Sequence, residues 1–169
     1  ATFSGAIDAS SLNIQNTTGT ISLPAGATLG SLATAAKNYS LDYNSLAVSN
    51  ATSLINTGTV TLSGSIAIDG GLTATSPSFI NLIGATISTL GTGVLNLATA
   101  NPLSVTGLSQ IGGTSTGAIS LPSIVLANSA SLILGAGAST AITTGAISGT
   151  VGGATSAVAF DTLGAVTVN

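Results

Sequence analysis

The sequence predicts an all-β fold, an antiparallel β-sandwich of the jelly-roll kind, on three observations. Apolar and polar residues alternate with period two along most of the chain. β-Branched residues are abundant. Glycine, 22 of 169 residues, falls between the alternating runs, where turns call for a positive φ.

In chain order, Ala1 to Ile7 (ATFSGAI) reads as an extended segment whose large apolar residues, Phe3 and Ile7, share one strand face. Thr20-Ile21-Ser22-Leu23 is the first clear alternation. Leu29 to Lys37 (LGSLATAAK) is the one helix candidate: its alanines favour helix, while Gly30 and the hydroxyl residues oppose it. Thr59-Val60-Thr61-Leu62 and Ser65-Ile66-Ala67-Ile68 follow as strands, and Asp69-Gly70-Gly71 has hairpin-turn composition. Val94 to Leu97, Ala118 to Leu121, Ser131 to Leu134 and Ala165 to Val168 are further strands. The run Ala157 to Val168, broken by Asp161 and Gly164, reads as a hairpin. One β-rich domain over residues 1–169 accounts for all of this, with 1–8 a candidate donor strand.

Thr-Gly dipeptides precede alternating runs at Thr18, Thr57, Thr92, Thr116 and Thr144, spaced 39, 35, 24 and 28 residues apart. A β-solenoid stacks rungs of nearly constant length. The unequal spacing therefore favours the sandwich, with a β-solenoid as the alternative. The Gly-punctuated, Asn- and Thr-rich stretch from Asn56 to Gly107 resembles the repetitive solenoid region of secreted adhesins.

Only five side chains carry charge: Lys37, Asp8, Asp42, Asp69 and Asp161. An ordinary domain is about a quarter charged; this chain is 3% charged. Without His or Cys there is no catalytic triad and no thiolate nucleophile. The four Asp lie far apart in sequence, so no carboxylate pair is encoded locally. No enzymatic activity, cofactor or resident metal is expected; Asp42 with Asn44, and Asp69 beside Gly70-Gly71, are read as turn or strand-end residues rather than calcium ligands. The absence of a basic patch argues against nucleic acid as a partner. The most apolar stretch, residues 121–138, is interrupted by Pro122, Asn128 and three serines, so no membrane-spanning helix is expected. Ala1 reads as a processed N-terminus of a secreted chain.

Three sequons, at Asn16, Asn38 and Asn50, are candidate N-glycosylation sites. Ser and Thr make up about 30% of the chain, a composition also suited to O-glycans. Sugar would supply the solubility that charge does not.

Natural sheets protect their edges with charged residues, Lys above all. This chain has one Lys and many Val-, Ile- and Leu-bearing strands. Such edges suit a protein that lives assembled. The composition resembles that of self-assembling prokaryotic extracellular filament, pilus and sheath subunits, archaeal ones included. The resemblance implies a cell-surface or extracellular structural subunit whose partner is itself. Strand complementation would join the copies, with Phe3 and Ile7 of the segment 1–8 as anchors. A β-solenoid adhesin or carbohydrate-binding module is the alternative.

Overall fold

The computed structural model describes residues 1–15, 17–149 and 155–169. Among them there is no helix, and the strands pair in parallel throughout, each with the strand one coil away. The chain is a β-solenoid. The antiparallel sandwich expected from the alternation is thereby overturned. Alternation reports only that one strand face is buried, and a solenoid strand meets that condition as well as a sandwich strand does.

The first coil contains β1 (Ile7–Ile14). The second holds β2 (Gly19–Leu23) and β3 (Ala27–Thr34), the third β4 (Tyr39–Val48) and β5 (Thr52–Ser53). The fourth holds β6 (Thr59–Ile68) and β7 (Gly71–Thr73), the fifth β8 (Phe79–Thr89) and β9 (Val94–Asn96). The sixth runs through β10 (Leu103–Thr106), β11 (Leu108–Gly113) and β12 (Ile119–Ser120). The seventh runs through β13 (Ile124–Leu126), β14 (Ser131–Gly135) and β15 (Ile142–Thr144). The last comprises β16 (Ile147–Gly149), β17 (Ala157–Asp161) and β18 (Val166–Val168).

Pairing registers divide each coil into three faces. On the first face, Ile21, Leu41, Val60, Ile80, Leu103 and Ile124 stack in one inward column. On the second, Ala27, Leu46, Ile66, Ile87, Ile111 and Leu134 do the same. On the third, Leu72, Leu95, Ile119 and Ile142 stack. These columns form a single apolar core. Each fully buried Leu, Ile or Val contributes roughly 1.5–3 kcal/mol of transfer free energy.

The corner between the first and second faces is turned by residues of positive φ: Gly26 (86°), Ser45 (64°), Gly64 (65°), Gly84 (57°) and Gly107 (73°). The left-handed conformation is nearly free for Gly and costs other residues roughly 1–2 kcal/mol. The corner between the second and third faces is held by buried hydroxyls. Gly93 O accepts from Thr89 Oγ1 (3.1 Å) and Ser115 Oγ (2.7 Å), and Ser115 O accepts from Thr140 Oγ1 (2.7 Å). Thr and Ser here satisfy carbonyls that the turning chain leaves without a ladder partner.

Three local expectations change with the architecture. Leu29 to Lys37 is not helical: Ala27–Thr34 is β3, which bends round a corner at Gly30. Asp69-Gly70-Gly71 is no hairpin; it leads from β6 on the second face to β7 on the third. Residues 157–168 are not a hairpin either. β17 pairs with β14, β18 with β15, and the two lie on different faces.

Candidate functional site

The four carboxylates are dispersed over four coils. Asp8 is in β1, Asp42 in β4, Asp69 follows β6 and Asp161 ends β17. Among the described residues no three His, Cys, Asp or Glu come together. Asp42 accepts from Ser22 Oγ of the preceding coil (3.3 Å). At Asp69 the backbone makes the contacts: its N–H donates to Val48 O (3.0 Å), and its carbonyl accepts from Leu90 N–H (3.2 Å). Among the described residues no helix is long and apolar enough to cross a membrane.

Of the sequons, Asn16 lies outside the described residues. Asn38 is exposed, just before β4. Asn50 is also exposed, but its Nδ2 donates to Gly30 O of the neighbouring coil (2.8 Å), and Thr52 of the same sequon is buried.

The N-terminal segment lies on its own chain. Phe3 N–H donates to Ser22 O (3.1 Å), and Ser22 N–H donates to Ala1 O (2.9 Å), so residues 1–3 run parallel to β2. Ile7 opens β1 opposite Ala27. Phe3 is exposed and Ile7 half-buried, because both belong to the first coil.

The last coil is the mirror case. Phe160 continues the inward column above Leu134, Val166 that above Ile142, and Val168 stands above Thr144. They are 39%, 41% and 52% exposed, where the residues beneath them are buried. The outer edges of β17 and β18 carry one charge, Asp161, and no Lys.

Among the described residues the interior holds two polar orphans, both in the third coil. Tyr43 Oη and Asn56 Oδ1 are buried without a partner. Burial pushes the Tyr43 phenol far above its ordinary value, and Tyr39 nearby raises it further.

On the first face, β8 turns Phe79, Asn81 and Ile83 outward. Ile80 and Leu82 between them point into the core. The row below is Thr59, Thr61 and Ser63 of β6; the row above includes Ser104 and Thr106 of β10. An apolar–amide–apolar strip is thus flanked on both sides by hydroxyls. Sequence reasoning missed this strip. Its signal is the pentapeptide FINLI, residues 79–83, where apolar residues occupy both alternation parities.

No family model, curated protein or solved structure matches this chain.

Proposed function

We propose that the chain is a structural subunit of an extracellular filament or sheath, extended by edge-to-edge addition of β-coils between copies. The observation that carries this reading is the exposed inward row of the last coil, Phe160, Val166 and Val168, beside strand edges almost free of charge. A parallel edge offers alternating N–H and C=O groups to a further strand. Covering a large apolar side chain fully is worth roughly 1.5–3 kcal/mol, and proportionately less for one already half-covered. Parallel polarity requires head-to-tail addition. The coil 1–14 of the next copy would then bring Ile7 onto Phe160 and Leu12 onto Val166. Each edge carries a single side-chain carboxylate, Asp8 in β1 and Asp161 in β17, so one like-charge pair is all that opposes the approach of a second copy.

The test is sedimentation and negative-stain electron microscopy of the purified chain over a range of concentrations, beside Val166→Lys. Wild type is expected to polymerise, and the variant to stay monomeric with an unchanged β spectrum. A wild type that remains monomeric throughout, or a variant that polymerises equally well, overturns the proposal.

A second reading, a rod segment of a β-solenoid adhesin, is favoured by the solenoid architecture and the hydroxyl-rich outer faces. It predicts surface-exposed chain on intact cells without detachable fibres, which immunogold labelling distinguishes.

A further inference from the structure

We infer that the first face carries a lateral binding site for an uncharged polysaccharide, centred on Phe79, Asn81 and Ile83. Three features of the face lead to this ligand class.

The first is the chemistry of the strip. Phe79 is 49% exposed and Ile83 51% exposed, yet neither lies at an end of the solenoid, where exposure follows simply from the lack of a covering coil. They are outward residues of an interior strand with paired neighbours on both sides. A pyranose ring has an apolar C–H face and a rim of hydroxyls. Phe79 offers a negative aromatic face to such C–H groups, Ile83 a second apolar patch, and Asn81 between them both donates and accepts hydrogen bonds.

The second is spacing. Four residues of strand separate Phe79 from Ile83, about 13 Å at roughly 3.3 Å per residue. The strip is therefore long enough for more than one sugar unit lying along β8. The hydroxyl rows of β6 and β10 lie about 4.8 Å to either side, the strand spacing of a sheet, and reach the rim of a ring stacked on the strip. The side chains of Thr59, Thr61, Asn81 and Ser104 are committed to no hydrogen bond within the described protein.

The third is charge. None of the three rows contains a charged residue. The nearest along the column is Asp42, two coils below Asn81 and bonded to Ser22 Oγ. An anionic polymer would find no counter-charge here, nor would a basic one. A neutral polymer of hydroxyls and C–H faces meets its own chemistry on this surface.

The experiment is co-sedimentation with microcrystalline cellulose and with chitin, with a spin of protein alone as control, plus affinity electrophoresis through a gel containing soluble β-glucan. Wild type is expected to be retained by at least one of the three, and equally at about 1 M NaCl, where the Debye length falls to roughly 3 Å. Phe79→Ala and Ile83→Ser, both at exposed positions, should keep the β spectrum and bind about tenfold more weakly or worse. Val94→Ala, exposed on the third face, should bind like wild type. The proposal is overturned if none of the three probes retains wild type, if high salt abolishes retention, if both strip variants bind normally, or if Val94→Ala weakens as much as Phe79→Ala.

Discussion

At the residue scale the solenoid contains positions where side chain and surroundings disagree, and these give the sharpest predictions. Tyr43 fills core volume with its ring but buries a hydroxyl that has no partner. An unsatisfied buried polar group costs about 1–3 kcal/mol, whereas the ring is worth keeping. Tyr43→Phe should thus leave stability unchanged or raise it by about 1 kcal/mol in chemical denaturation; a clear loss would reveal a partner for the hydroxyl. The same residue sets an alkaline limit. Its folded-state pKa lies above the unfolded value of about 10, so the neutral form is favoured in the fold. That contribution is fully present below about pH 10 and is lost as pH rises beyond it, a decline that Tyr43→Phe should reduce. Ser45 is a second misfit, a non-glycine at φ 64° in a corner column where Gly26, Gly64, Gly84 and Gly107 take the same left-handed conformation. Ser45→Gly relieves left-handed strain, for an expected gain of about 0.5–1 kcal/mol. The opposing loss, a 3.4 Å bond from Ser65 N–H to Ser45 Oγ, is weak. Thermal unfolding that falls for Ser45→Gly would show that this bond outweighs the strain.

At the element scale, stability should follow position in the stack. Ile66 is fully buried between Leu46 below and Ile87 above. Ile66→Ala should cost about 2–5 kcal/mol, since neighbours bonded above and below cannot collapse into the void; a cost under 1 kcal/mol would mean that the core is loose. Gly117→Ala is a backbone test of the same stacking. An added Cβ would clash with Gly93 O of the coil below, so the corner itself must shift. These elements also show what was legible in the sequence. Strands such as Thr59-Val60-Thr61-Leu62 were readable because inward Val60 and Leu62 alternate with outward threonines. Their partners were not, because alternation carries no information about parallel or antiparallel pairing. The helix expected near Leu29 arose from a corner: Leu29 and Leu32 both point inward, three residues apart, because the turn at Gly30 shifts parity and imitates helical spacing. The Thr-Gly repeat misled for a related reason. Gly93 and Gly117 stack directly, 24 residues and one coil apart. Gly19 and Gly58 are two coils apart, and Gly145 follows β15 at a different corner. Measured instead along one inward column, Ile7, Ala27, Leu46, Ile66 and Ile87 recur at 20, 19, 20 and 21 residues before the coils lengthen to 24, 23 and 26. The outward strip on β8 stayed hidden because Phe79 and Ile83 blend into an apolar run until register shows which of them leave the core.

At the scale of the whole molecule, each coil touches only its neighbours, so stability is a sum of coil and interface terms and need not be lost all at once. Burial is deepest from the fourth coil to the seventh: Val60, Ile66, Ile80, Ile87, Ile111 and Leu134 are essentially inaccessible. The last coil has exposed inward residues, and every residue of β18 is exposed. Amide exchange should therefore be graded along the axis. Strands β6 and β8 should exchange slowest, near the global unfolding limit, with protection falling outward to β17 and β18, which open locally at low cost. Ionic strength should barely alter the gradient, since few charges are present to be screened. Assembly should alter it strongly. If copies add head to tail, the edges of β17 and β18 become interior strands, and their amides should slow toward those of β8 as protein concentration rises. Exchange measured at dilute and assembled concentrations separates the alternatives. Uniform protection in the dilute sample would rule out independent coil opening, and β17 and β18 amides that stay fast in the polymer would place the subunit contact somewhere other than the coil edges.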